Sequence, residues 1–262
     1  RSAAGVWKYN TPMHRPASPQ PFLLAADIDG TLLGDPASEA AFTAFVEQHP
    51  AQVILALVTG RSLPTILPII QSERLPQPAF ICADVGTELF DCRDPLNALG
   101  EAYAARASLT WDLAHIYALG VGEGVTIQDF PDGQPRFQAG FYWDGSPHTL
   151  ELFRRRLSVL PGCAILPSYD YYIDVLPLTM GKGQAVLFLR QALGLPPERV
   201  VVAGDTGNDA QMFETGLPGI LPLNALDELK QIAVQPWHYS SPHPYAWGVL
   251  DGLVHHQLIN MK

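Results

Sequence analysis

The chain predicts an α/β fold in which a parallel sheet with crossover helices carries an inserted α+β segment. Two observations lead to it. From Phe22 to Asp84 short apolar runs alternate with helical stretches, in the order FLLAAD, SEAAFTAFVEQH, VILALVTG, SLPTILPIIQSE and AFICAD. This alternation is the signature of βαβ units, because parallel neighbours need a crossover long enough to hold a helix. The rhythm resumes after residue 180 in KGQAVLFLRQALG, RVVVAGD, NDAQMFETG, GILPL, LDELKQIAV and a closing helix near Tyr245 to Leu258. Between the two halves the texture changes to helix LTWDLAHIYALG, strand PRFQAGFYW, helix HTLELFRRRLSVL, and strands CAILPSY and YYIDVLP joined by a tight turn. Strands that return on themselves with helices between them form a separate antiparallel layer. The expected boundaries are a core over residues 22–104 and 179–262 and an insertion over 105–178.

Composition narrows the class. Of 262 residues, 47% are hydrophobic and 16% charged, enough to fill a sizeable core and unlike a disordered chain. Sixteen Lys and Arg against 26 Asp and Glu give a formal charge of -10, which argues against general affinity for nucleic acid or an anionic membrane. An anionic substrate would therefore need a local basic trap or a cation. Cys82, Cys92 and Cys163 are too few and too irregularly spaced for a disulfide framework or a zinc site, so a reducing, cytoplasmic compartment is expected. No run approaches the roughly 18 apolar residues of a membrane helix. Residues 1–21 are set aside as an N-terminal extension, the first twelve read as an appended remnant with Met13 the native start.

Four polar clusters stand out. In DIDGT, Asp27 and Asp29 share a strand face two residues apart, just past the carboxyl end where open α/β sheets bind ligands. Two such carboxylates favour a shared proton or a metal ion. VTGR ends a second strand with Thr59, Gly60 and Arg61; a hydroxyl and turn N–H groups there suit a phosphate. In GKGQAVLFL, Lys182 falls in the first turn of a helix, where the macrodipole disfavours a cation, so an anion is expected beside it. GDTGND places Asp205 and Asp209 after another buried strand, hard oxygen ligands that suit Mg²⁺. Each has a plain alternative: Asp-Gly as a turn, Ser62 capping the helix that Pro64 opens, Thr206 to Asp209 as a capping box, Lys182 as a surface lysine. Four together, three of them at strand ends, outweigh those alternatives.

As a set the four motifs, from about Phe22 onward, resemble those of the haloacid dehalogenase superfamily of phosphatases, and the insertion resembles its α/β cap. The resemblance implies a Rossmann-like core with an inserted α+β cap domain. Within the superfamily, VGTELF, YIDVLP and AWGVLDGL look most like sucrose-phosphate phosphatases. On that resemblance Asp27 is the nucleophile and Asp29 the general acid and base. Thr59, Gly60, Lys182 and Asn208 bind phosphate, and Asp27, Asp29 through its carbonyl and Asp205 hold Mg²⁺, with Asp209 a further ligand or an orienter of the ligands. It also implies hydrolysis of sucrose 6-phosphate by a monomer, with a sucrose-phosphate synthase as partner. Other readings are a phosphatase for a trehalose, mannosylglycerate or glucosylglycerol phosphate, a non-catalytic phosphosugar-binding module, and a phosphomutase.

Specificity is expected in the cap. Alternation places Arg136, Gln138 and Tyr142 opposite Phe137, Ala139, Phe141 and Trp143, and Asp170, Tyr172 and Asp174 opposite Tyr169, Tyr171, Ile173 and Val175. The apolar set should pack on the cap helices. The polar set, with Arg136, Gln138, Tyr172 and Asp174 as sugar-binding candidates, should face the catalytic site.

Overall fold

The computed structural model describes residues 20–107 and 111–259, so the expectation placed on Met13 lies outside the described residues. The chain runs through β1 (Phe22–Ala26), α1 (Pro36–Gln48), β2 (Val53–Val58), α2 (Leu63–Gln71), β3 (Phe80–Ala83), β4 (Glu88–Asp91) and α3 (Ala98–Ala104). The inserted segment follows as α4 (Leu113–Gly120), β5 (Val125–Ile127), β6 (Ala139–Trp143), α5 (Pro147–Leu157), β7 (Cys163–Ser168) and β8 (Tyr172–Pro177). The core resumes with α6 (Lys182–Ala192), β9 (Val200–Ala203), α7 (Ala210–Phe213), β10 (Gly219–Leu221), α8 (Asp227–Ile232), β11 (His238–Ser240) and α9 (Tyr245–His255).

The core is a seven-stranded sheet in the order β11-β10-β9-β1-β2-β3-β4, parallel except for the β3–β4 pair. Its central strand β1 is buried on both faces, as a parallel sheet flanked by helices requires. Phe22, Leu24 and Ala26 enter one apolar cluster with residues of α1, α2 and α9. Leu23 and Ala25 enter the other with residues of α6 and α7. The strand order reverses at β1, whose neighbours are β2 and β9. Ala26 pairs with Leu57 and with Ala203, so the loops leaving these three strands open side by side at the switch point where such sheets bind ligands.

The cap is a four-stranded antiparallel sheet in the order β5-β6-β8-β7. Ala139, Phe141, Trp143, Ile173 and Val175 pack in one apolar cluster with Ile116 of α4 and Phe153 of α5. Phe141 is fully buried, edge-on to Phe153 at 5.1 Å and to Tyr117 at 5.3 Å between ring centroids. Phe141→Ala is expected to destabilise the protein by about 3–5 kcal/mol, read by denaturant unfolding. A loss below about 1 kcal/mol would mean that this ring is not at the centre of the cap.

Two expectations change. The strand expected over PRFQAGFYW begins only at Ala139: Phe137 turns away and packs in the core's own cluster with Tyr103 and Met180, and Arg136 is exposed with its guanidinium 4.6 Å from the Phe137 ring. Tyr169 and Tyr171 do not join the apolar face. Ser168 pairs with Tyr172, so residues 169–171 form the hairpin turn, with Tyr169 and Asp170 in the left-handed region at φ 53° and 48°. Alternation of faces stops where a strand turns. Finally, β4, β5, β11 and α3 are elements that the apolar pattern did not announce. Among the described residues, no helix is long and apolar enough to cross a membrane.

Candidate active site

Lys182 is the first residue of α6 and fully buried, and its ammonium donates to Asp27 Oδ1 at 2.7 Å, Asn208 Oδ1 at 2.8 Å and Asp209 Oδ1 at 2.6 Å. The anions that a cation at a helix N-terminus demands are thus supplied from β1's end and the loop after β9. Asp209 serves twice: its second oxygen accepts the Asp205 N–H at 2.9 Å and the Thr206 N–H at 3.1 Å, which is the capping interaction of the local turn. Both of its oxygens are therefore engaged by protein donors.

Asp205 is held by the Thr31 hydroxyl, which donates to its Oδ1 at 2.9 Å. Its other oxygen lies where a Cβ on Gly30 would fall 2.2 Å away, and Gly30 has φ +80°, so both the space and the backbone there call for glycine. Carboxylate oxygens of Asp27, Asp205 and Asp209 lie within 4.8 Å of one another. Three buried carboxylates around one ammonium leave an excess of negative charge. Burial pushes Asp27 well above the usual carboxylate range, with Asp209 and Asp205 adding to the rise against the pull of Lys182. Burial and then Asp209 push Asp205 up to about 7. A cluster that resists ionisation until further positive charge arrives suits a divalent cation, and its hard oxygen donors suit Mg²⁺. Asp29 contributes no side-chain oxygen to this group; its carboxylate lies outside, about half exposed, against Arg61.

A cavity of about 300 Å³ opens over the cluster. On the core side it meets Asp27, Asp29, Thr59, Gly60, Arg61 and Asn208. On the cap side it meets Gln128, Gln138, Ser168, Tyr169, Tyr172 and Asp174. Of the four expected sugar-binding residues, Gln138, Tyr172 and Asp174 reach the cavity and Arg136 does not. Gln138 donates from Nε2 to Asp174 Oδ1 at 2.7 Å, while its own Oε1 is buried without a protein partner. An unpaired buried acceptor beside a carboxylate is a demand for donors, which hydroxyl groups meet.

Burial raises the Asp174 carboxyl to about 6, against Gln138 and Lys182, which lower it. A folded-state value above the unfolded 3.8 means that the unfolded chain ionises first as pH rises, so Asp174 weakens the fold increasingly between about pH 4 and 6 and fully above that. Asp174→Asn keeps an acceptor for Gln138 and is expected to raise thermal stability at pH 8, by an amount of order 2 kcal/mol, and to change it little near pH 4. Equal effects at both pH values would remove the buried charge as the cause.

Sequence reasoning missed Thr31, Gln128 and Tyr169, and left Arg61 without a role. Thr31 and Arg61 sit inside the quoted motifs DIDGT and VTGR; Gln128 and Tyr169 lie at strand ends, where the alternation carries no signal.

Comparison with known proteins gives the family. A family model for sucrose-6F-phosphate phosphohydrolase matches residues 20–257. The mannosylfructose-phosphate phosphatase of Agrobacterium fabrum is 32% identical over 244 residues, covering 89% of this chain and 96% of that protein. The glucosylglycerol-phosphate synthase of Pseudomonas anguilliseptica is 35% identical over 202 residues, or 76% of this chain but only 26% of that protein. The X-ray structure of the sucrose-phosphatase from Synechocystis sp. PCC6803 in complex with sucrose and phosphate superposes with a TM-score of 0.83 at 25% identity, covering 90% of this chain and 98% of that one. A match over residues 20–257, on a capped α/β core that gathers all four motifs at one sheet edge, means that the chain belongs to the sucrose-6F-phosphate phosphohydrolase family of the haloacid dehalogenase superfamily.

Proposed function

We propose that the protein is a Mg²⁺-dependent phosphatase that hydrolyses sucrose 6-phosphate to sucrose and phosphate. The observation that carries this reading is Asp27 at the switch point, bonded to buried Lys182 and open to a cavity whose far wall is neutral amide, hydroxyl and aromatic groups with one carboxylate. Asp27 attacks phosphorus in line as the bond to the sugar oxygen breaks, and Asp29 gives that oxygen its proton. Asp29 then takes a proton from water, whose oxygen displaces Asp27 from phosphorus. Thr59, the Gly60 N–H, Lys182 and Asn208 hold the phosphoryl oxygens, where charge spreads in the transition state. Asp27 and Asp205, through the oxygens that Lys182 and Thr31 leave open, and the Asp29 carbonyl would hold Mg²⁺, while Asp209 orients Lys182 and the loop. When bound, Mg²⁺ supplies Lewis-acid stabilisation of the phosphoryl charge.

The cap wall favours a neutral leaving group. Among its cavity-lining residues no cation is present, and Asp174 would repel a carboxylate. A second reading, a phosphatase for another neutral disaccharide phosphate, is favoured by the likeness to the mannosylfructose-phosphate phosphatase of Agrobacterium fabrum. A sugar-phosphate synthase is the enzyme class that supplies the substrate on either reading.

Phosphate release from sucrose, mannosylfructose, trehalose, glucosylglycerol and mannosylglycerate phosphates tests this. Sucrose 6-phosphate is expected to give the highest kcat/KM and the sugar acid to be poorer by roughly 100-fold or more, a few kcal/mol of unpaired charge. EDTA should abolish turnover and Mg²⁺ restore it. Preference for mannosylglycerate phosphate, or full activity in metal-free buffer, would refute the proposal.

A further inference from the structure

Arg61 is bound to Asp29 through two arms: Nε to Oδ2 at 2.6 Å and Nη2 to Oδ1 at 2.7 Å. Both side chains are substantially exposed, 37% and 49%, and both line the cavity mouth. A pair so open to water adds little to stability, whereas a planar guanidinium gripping both oxygens of a carboxylate fixes its orientation.

The backbone beneath Arg61 is itself fixed. Its N–H donates to Thr59 Oγ1 at 3.2 Å, and its carbonyl accepts the Asp84 N–H at 2.9 Å. The Thr59 carbonyl accepts the Val85 N–H, also at 2.9 Å. These two donors belong to a turn in which Asp84, Val85 and Gly86 have φ of 50°, 58° and 77°. Two residues with side chains, one of them β-branched, thus hold a left-handed backbone that strains them. A strained turn is thus kept where it clamps the loop that carries Arg61. On the far side, Ser62 Oγ donates to Asp132 Oδ2 of the cap at 3.3 Å, so the same loop touches the part of the molecule that closes over the substrate.

We propose that Arg61 is a positioning residue for Asp29, its fork setting the direction from which the Asp29 carboxyl meets the leaving-group oxygen. The proposal rests on the reading of Asp29 as the proton donor. Two of the guanidinium's three nitrogens, Nε and Nη2, are engaged by Asp29 in this arrangement.

The test uses Arg61→Gln, Arg61→Lys, Asp29→Asn and the double variant Arg61→Gln/Asp29→Asn, with sucrose 6-phosphate, phenyl phosphate and p-nitrophenyl phosphate as substrates. Melting curves confirm that each variant is folded. Arg61→Gln is expected to lower kcat/KM, which reports only the steps up to phosphoryl transfer to Asp27, by roughly 10 to 100 fold on sucrose 6-phosphate and less on phenyl phosphate. On p-nitrophenyl phosphate, whose leaving group needs little protonation, the change should stay within about threefold. KM should move little, Arg61→Lys should recover only part of the loss, and the double variant should be no worse than Asp29→Asn. Equal losses on all three substrates, a raised KM at unchanged kcat, multiplicative losses in the double variant, or unchanged kinetics would overturn the role. If Asp29→Asn itself keeps wild-type kcat on sucrose 6-phosphate, the proton-donor reading fails and the positioning role with it. If Asp29→Asn shows leaving-group dependence and Arg61→Gln does not, only the positioning role fails.

Discussion

Asp27→Asn is expected to yield a folded protein whose kcat is lower by roughly 10⁴-fold or more, since an amide of nearly the same shape is a poor nucleophile. The fold should survive for a specific reason: the new carbonyl oxygen can still accept from Lys182, which reaches Asp27 at 2.7 Å. Burial with Asp205 and Asp209 close by disfavours the charged form of Asp27, so neutralising it removes repulsion. In EDTA the melting temperature of Asp27→Asn should therefore equal or exceed that of the parent. Rapid-quench assays of phosphate release together with melting curves check both halves. Appreciable turnover by folded Asp27→Asn would remove Asp27 from the nucleophile's place, and a steep loss of stability would show that its charge holds the cluster together.

Lys182→Met should have the opposite signature. It removes the ammonium that Asp27, Asn208 and Asp209 share and leaves the carboxylates facing one another in a buried space. Breaking a buried pair from one side costs about 3–5 kcal/mol, because the remaining charge is uncompensated. In a chain of this size that lowers the melting temperature by roughly 10 °C in EDTA. Mg²⁺ should recover a larger part of the loss than it adds to the parent protein. Turnover should stay low with the cation present, since a phosphoryl contact is missing. An unchanged melting temperature in EDTA would mean that Lys182 is not the counter-charge of this cluster.

Much of this arrangement was legible in the sequence, and the residues show why. The run FLLAAD is apolar at every strand position, which only a strand covered on both faces can be, and β1 is such a strand. Lys182 announced its partners because a lysine opening a helix is electrostatically misplaced without them. The cap was legible only inside its strands. Phe141, Ile173 and Val175 fall on the apolar face as alternation dictates, whereas Phe137 and Tyr169 lie beyond the strand ends, where the backbone turns and period two no longer holds. Arg61 stayed silent for another reason. Its partner is 32 residues away, and no local pattern records an ion pair across two loops. The edge strands β4 and β11 have four and three residues, too short for periodicity to register.

The two chain crossings between the sheets run next to each other. Thr179 Oγ1 donates to the Arg106 carbonyl at 2.6 Å, so the segment leaves the core and re-enters it through a single doorway. An excursion of some seventy residues whose ends nearly touch is topologically a side loop, however much structure it holds. All seven strands, and the register that sets Asp27 between β2 and β9, are formed by residues outside the excursion. On the proposed function, the half that carries Asp27 and the half that walls the far side of the cavity can therefore change at different rates. On that reading a lineage could exchange one sugar for another as a lock changes its key, with the bolt left untouched.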